Sequence, residues 1–446
     1  MKKSYSQLRM LLTLFAGCTM SLSAAAVNND RWPDGSKMDT WFQDTTRVDV
    51  NTLGRRYVVT DYQVGLDSTV VQTRALQQVI DRCHREGGGV VVVPRGTFLT
   101  GALFLKDGVN LMVEKGGKLK GSDRIGDYPL MKTRIEGETC TYYPAIINAD
   151  SVSNIVLCGE GTIDGNGARF WEDFWLRRKW NPKCTNKDSQ RPRLVYISHS
   201  NNVTLQDLHL QNSPFWTNHV YKSDHIRFLR LSIYAPTSGL RAPSSDAIDL
   251  DVCSDVLVYG CYMNVNDDAV VLKGGKGTWA DKNPDNGANE RILIDRCHYN
   301  TVHGCLTLGS ESLHDRNVIL RNCVADNAQR VLWLKMRPDT PQHYEYVTVE
   351  NMKGRAKSFI VVRPWTQFFK QEKRDDMPKS VCNDITLRGI EMTCQNFFDV
   401  GKSDKYDLHD FTFEDIDVKD EKQAFNKETI TNTKVKNVKI NGVRQK

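Results

Sequence analysis

Past its first 26 residues the sequence has no uninterrupted apolar run near the ~18 residues a membrane span needs, so no transmembrane helix is expected. It has no CxxC pair and no His/Cys cluster at zinc spacing, so neither a metal centre nor a cofactor is expected. Charge of one sign is scarce: the formal net charge is +6 over 446 residues, and half of it sits on Lys2, Lys3 and Arg9. The remaining +3 is too weak to indicate nucleic acid as a partner. Nothing marks an oligomer interface, so a monomer is the default.

Those three cations precede "MLLTLFAGC" and "SLSAAA", which have the order of an n-region, an h-region and a small-residue cleavage site. A signal peptide is expected over residues 1–26, cut after Ala26, with residues 27–446 exported to the periplasm or medium as one domain. Lipid attachment at Cys18 in "FAGC" competes with this, but Phe15 fits it poorly and the apolar character continues past Cys18. Of twelve cysteines, eleven stay once Cys18 is removed, an odd number that cannot all pair. Cys140 and Cys184, in loop-like sequence, are candidate disulfide partners in an oxidising compartment. Cys158, Cys261, Cys297 and Cys323 occupy apolar strand positions and read as small core residues.

What is abundant is one short pattern: "NVTLQDL" from Asn202, then "HIRFLRL", "DVLVYGC", "RILIDRC", "NVILRNC", "YVTVENM", "DITLRGI", "DFTFEDI" and "NVKINGV" from Asn437. Each is a period-2 strand with β-branched residues on its inner positions. Their first apolar positions, from Val203 to Val438, recur at a mean step of about 29 residues. Propeller repeats are longer, and the Leu/Asn spacings of leucine-rich repeats are missing. The predicted fold is therefore all-β: a single-stranded, right-handed parallel β-helix with a short N-terminal capping helix. That helix is expected near residues 73–86, where Ala75, Leu76, Val79, Ile80 and Cys83 make a helical stripe ending at Gly87.

In a stacked coil, equal offsets become spatial neighbours. The second strand of each coil aligns from Asp246, Asp268, Gly304 and Arg330, placing Ile248/Leu250, Val270/Leu272, Leu306/Leu308 and Leu332/Leu334 in two inward columns. Asp246 then stands beside Asp268, and Asp267 beside His303, each pair roughly 4.8 Å apart. Adjacent Asp residues such as Asp267 and Asp268 ordinarily mark a turn, but a turn does not require three carboxylates and an imidazole on one outer patch. Crowded carboxylates cannot all ionise easily, so one keeps a proton to donate while the others orient a water, the requirement of glycosidic hydrolysis. A separation with room for that water gives an inverting displacement. A Ca²⁺ site is the competing use of clustered Asp, and His303 in its midst speaks against it. Lys273, Lys335 and Arg337 lie along the same face, beside the long insertion from Gly274 to Glu290, whose Trp279 offers a ring for a sugar.

These residues resemble the polygalacturonase family, glycoside hydrolase family 28, over nearly all of residues 27–446. "CHREGGGVVVVPRGTFLTGALFLKDGVNLMVEKGGKLKGS", "GEGTIDGNGARFW", "RPRLVYI" and "NSPFW" are similar to its early landmarks, and "SSDAID", Asp267-Asp268 and "VHG" to its catalytic motifs. The resemblance implies a pectic substrate, with Asp267 as general acid, Asp246 and Asp268 positioning and deprotonating the water, and His303 tuning the acid. It also adds Asn212, in "NSPFW", to the expected substrate contacts Lys335, Arg337, Lys273 and Trp333. One departure stands out: the family's Arg-Ile-Lys reads "WLK", so Lys335 is kept while Trp333 replaces an arginine that grips uronate carboxylates. Either Arg330 or Arg337 compensates, or Trp333 stacks on a neutral sugar such as rhamnose. The expected substrate is an α-galacturonide in pectin, rhamnogalacturonan included, cut from a chain end with the insertion narrowing the groove; open-groove endo attack is the alternative. A Ca²⁺-dependent lyase-like β-helix and a non-catalytic glycan-binding β-helix are the other classes.

Overall fold

The computed structural model describes residues 30–367, 371–422 and 424–446. The expected leader, with its cleavage site after Ala26 and with Cys18, lies outside these residues. Twenty-eight strands join one sheet that winds as a parallel β-helix, each coil pairing in parallel with the coils before and after it. One hydrophobic core runs along its axis from Tyr57 to Ile440. The expected helix, α1 (Thr73–Arg85), buries Leu76, Val79, Ile80 and Cys83 in that core near its N-terminal end. The strand repeat does not announce a second helix, α2 (Ala168–Trp180), which turns Phe170, Trp171 and Phe174 inward.

The repeat register holds for its first eight members. Val203 pairs with Ile226, and the column continues through Val256, Ile292, Val318, Val347 and Ile385 to Phe411, all buried. The residue before each of these has a left-handed φ of 53–61°, which explains the Asn and Asp so frequent there. The ninth member is displaced: Val438 pairs with Ile416, not with Phe411. Each coil has a second left-handed corner five residues after the first, as at Asp410 and Asp415, and Asn437 is the second corner of a coil whose first is Asn432. Both corners put a polar residue before an apolar one, so the sequence pattern alone does not separate them.

Among the described residues all eleven cysteines are free thiols, so the expected Cys140–Cys184 bridge is absent. Cys140 packs against the cluster of Phe215 and Trp216, and the Cys184 thiol donates to the Thr185 carbonyl at 3.5 Å. Cys158, Cys261, Cys297 and Cys323 are buried, as their strand positions imply.

The inward column is directly testable at Leu272, which pairs with Leu250 and Leu308 on either side. Leu272→Ala should destabilise the fold by about 2–5 kcal/mol, seen as a lower unfolding midpoint in denaturant. An unchanged midpoint would contradict the column.

Candidate active site

Two inward columns hold the second strand of each coil in register: Ile248, Val270, Leu306 and Leu332 in one, Leu250, Leu272, Leu308 and Leu334 in the other. Just ahead of these strands the Ala247 amide donates to the Asp268 carbonyl at 2.9 Å, and the His303 amide to the Asp267 carbonyl at 2.8 Å. Asp246 therefore neighbours Asp268 and Asp267 neighbours His303. One oxygen from each of Asp246, Asp267 and Asp268 lies within 4.8 Å of the others.

The three carboxylates differ in their surroundings. Asp268 is 1% exposed and accepts a hydrogen bond from Lys335 Nζ at 2.7 Å. Asp246 is also buried, with its nearest cation, Lys273, 3.9 Å away. Burial, then repulsion from Asp267 and Asp249, pushes its carboxyl well above the usual range. Asp267 is 30% exposed, and His303 Nδ1 is 3.4 Å from it. Burial works to raise Asp267 too, but hydrogen bonding and charge from His303, then Lys335 and Lys273, hold it below its ordinary value. On His303 burial works downward and Asp267 outweighs it, so the imidazole is raised. Asp246 thus holds a proton more readily than Asp267 does, and the imidazole beside Asp267 holds its own more readily than a free imidazole. This differs from a proton simply stored on Asp267. The cause is depth: Asp246 is sealed away with a distant cation, whereas Asp267 has an imidazole beside it.

The expected substrate contacts separate into distinct roles. Lys273 is a buried counter-ion, 3.3 Å from Asp249 and 3.5 Å from Glu311, with its ammonium against the Trp216 ring. Arg337 is buried and forks onto Asp339 through two 2.8 Å bonds. Asn212 bonds Asp164 at 3.3 Å and lines a separate cleft with Lys118 and Trp171, away from the carboxylates. Trp333 is buried, with the Arg330 guanidinium 3.7 Å and the Lys335 ammonium 4.0 Å from its ring centre and Trp365 edge-on to it. Its ring carries both cations. Arg330 itself is half-buried, with its guanidinium on that ring and the charges of Asp268, Asp399 and Asp267 acting on it. Trp279 stays 45% exposed, with Arg374 against one part of its ring.

Sequence reasoning missed Asp249 and Glu311. Burial pushes Asp249 up to about 7 despite Lys273; Glu311 is partly exposed, and Lys273, Lys276 and Arg337 hold it far below its usual value. Asp249 had a signal, the outward alternation of "DAIDLD"; Glu311, in a loop, had none. Also missed was the antiparallel hairpin Met131–Ile135/Glu138–Tyr142. Its Arg134 reaches Asp251 at 3.0 Å and Asn286 at 2.7 Å, and its Thr139 bonds Asp285 at 2.6 Å. The hairpin thereby fastens the 274–290 insertion into a wall beside Lys273 and Glu311. Arg374, from the loop after Pro364, pins the same insertion through Asp281 at 2.9 Å.

Among the described residues no helix is long and apolar enough to cross a membrane. A probable polygalacturonase of Vitis vinifera is 29% identical over 47% of this chain, which spans 42% of that relative's length. An endo-polygalacturonase of Pectobacterium carotovorum is 26% identical over 71% of this chain and 77% of its own. The crystal structure of a hyperthermoactive exopolygalacturonase from Thermotoga maritima superposes with a TM-score of 0.75, covering 91% of this chain and 96% of its own at 21% identity, so the coil is the right-handed parallel β-helix of that fold. The model of the family described as glycosyl hydrolases family 28 matches residues 83–443, most of the chain. With the stacked carboxylates lying inside that span, the chain belongs to glycosyl hydrolases family 28 and is a glycosidase.

Proposed function

We propose that the protein is an exported hydrolase that cleaves α-galacturonide linkages of pectin from a chain end, by single displacement. The observation that carries this reading is the compact carboxylate trio with protons unevenly shared. Asp267, the most exposed of the three, faces the leaving oxygen. Asp267 and His303 act as one proton-holding pair: when the bound sugar displaces water, the ion pair loses its solvation and the proton passes from imidazolium to carboxylate, ready for transfer. Asp268 and Asp246 hold the attacking water, with Asp268 taking its proton and Asp246, protonated at the outset, orienting it.

The trio is tighter than the roughly 6.5–9.5 Å usual between the carboxyls of inverting enzymes, and nearer the ~5–5.5 Å of retaining ones. Accessibility favours inversion nonetheless. Asp246 and Asp268 are 5% and 1% exposed, leaving little surface for either to bond an anomeric carbon.

Recognition of the uronate falls to Arg330 and Lys335. Lys335 is already spent on Asp268, while Arg330 rests its guanidinium on the Trp333 ring, within reach of the charges of Asp268 and Asp267. Trp333 thus takes the family arginine's place in the strand and supports a guanidinium delivered from three residues earlier. The rhamnogalacturonan reading depended on Trp333 as a sugar platform and loses that support. The wall of insertion and hairpin favours attack at a chain end. The Vitis relative extends well beyond the matched region, so these assignments concern this chain's own site.

Asp267→Asn should lower kcat on oligogalacturonides by ~10²–10⁴-fold with KM and unfolding midpoint near wild type; near-normal turnover would remove Asp267 as the acid. Arg330→Ala should raise KM roughly tenfold to a hundredfold, the loss of a charged hydrogen bond of about 1.5–3 kcal/mol, with Arg330→Lys intermediate. A KM indifferent to both changes would place uronate recognition elsewhere. On a size-defined oligogalacturonide, the first products should be one terminal unit and the shortened chain, with the new reducing end β by NMR. A ladder of intermediate sizes would show endo attack, and an α product would show double displacement.

A further inference from the structure

We propose that His314, His343 and Glu345 bind one divalent transition-metal ion of zinc-like preference on an outer corner of the solenoid, outside the hydrolytic site. His314 and His343 are register partners on adjacent coils. Their imidazoles stack with centroids 5.0 Å apart and planes 6° apart. Both present Nε2 to one carboxylate: His314 lies 2.9 Å from Glu345 Oε1 and His343 lies 3.7 Å from Oε2. One ligand atom from each of the three residues falls within 4.8 Å of the others.

A tetrahedral ion with bonds of ~2.1 Å sets its ligand atoms about 3.4 Å apart. The two observed distances fall on either side of that value, so an ion is accommodated by small side-chain shifts without backbone movement. Asn383 Oδ1, 2.8 Å from His343 Nε2, offers an oxygen from the next coil. All three ligands are half-exposed, so an ion can enter and water can complete the shell. Two imidazoles and a carboxylate select a borderline metal over calcium or magnesium, which prefer oxygen alone.

Neighbouring charge leaves the carboxylate available. Arg316 Nε is 3.8 Å from Glu345, but the same guanidinium is paired with Asp34 through Nη2 at 3.0 Å. Two stacked imidazoles that converge on one carboxylate from adjacent coils form a compact ligand set. The bound ion would clamp successive coils just after the turns that carry Glu311 and Arg337.

The test uses chelator-stripped full-length protein titrated with Zn²⁺ by calorimetry and with Co²⁺ by visible absorption. The expected result is one ion per chain, a Co²⁺ ligand-field band, and a higher unfolding temperature with saturating Zn²⁺. His343→Ala, and the shape-conserving Glu345→Gln should the former fold poorly, should weaken binding by more than about 100-fold, the most that loss of an outer-shell partner costs. Asp267→Asn should bind the ion as wild type does. Absence of saturable binding, binding indifferent to both His343→Ala and Glu345→Gln, or binding lost in Asp267→Asn would each overturn the proposal.

Discussion

The hydrogen-bonded spacing between successive coils, about 4.8 Å, governs this molecule. Backbone pairing fixes it, so whatever two residues share an offset must stand that far apart, attractive or not. Asp246 and Asp268 are held together in this way by the Ala247 amide, and Asp267 and His303 by the His303 amide. A catalytic patch built on such a ladder gets its geometry from the main chain. The side chains need only choose their charge state.

That choice is forced by burial and by which cation reaches which acid. Five acids, Asp246, Asp249, Asp267, Asp268 and Glu311, share one region with Lys273, Lys335 and His303, and Lys276 and Arg337 act on Glu311 as well. Lys273 stands between Asp249, Glu311 and Asp246, and Lys335 bonds Asp268. The imidazole matches Asp267. Burial outweighs the cations for the other two, raising Asp246 well above the usual carboxyl range and Asp249 to about 7. Lys273 serves as a counter-ion because removing it would leave Asp249 and Asp246 buried without their cation.

The same logic separates what was legible in the sequence from what was not. Alternating burial determines the face of every strand residue, so the register and the neighbours of Asp267 and Asp268 could be read from Ile248, Leu250, Val270 and Leu272 alone. Side-chain fate could not. Lys273 and Trp333 lie on the outer face of their strands, but whether each points at a ligand or a neighbour depends on partners distant in sequence: Glu311 for Lys273, Trp365 for Trp333. Asn212 is claimed by Asp164, 48 residues away. The hairpin at 131–142 has too short a pattern to reveal that it would grasp the insertion near Asn286. Val438 slipped for the opposite reason, a pattern used twice in each coil.

Away from the active site the ladder shows how such a fold ordinarily manages charge. One outward column reads Asp295, Arg321, Glu350, Arg388, Glu414, Lys436, changing sign at every coil. Arg321 bonds Asp295 at 2.9 Å, Arg388 bonds Glu350 and Lys436 bonds Glu414. Alternation is the arrangement that lets charged residues stack at this spacing without repulsion. A column that places like groups on adjacent coils instead forgoes that stabilisation, and its retention needs another cause. Asp246 beside Asp268 is one such column, and the proposed hydrolysis supplies its cause. His314 beside His343 is another, and its shared carboxylate fits the proposed ion. In a stacked coil, departures from alternation are therefore a physical pointer to sites that sequence motifs do not name.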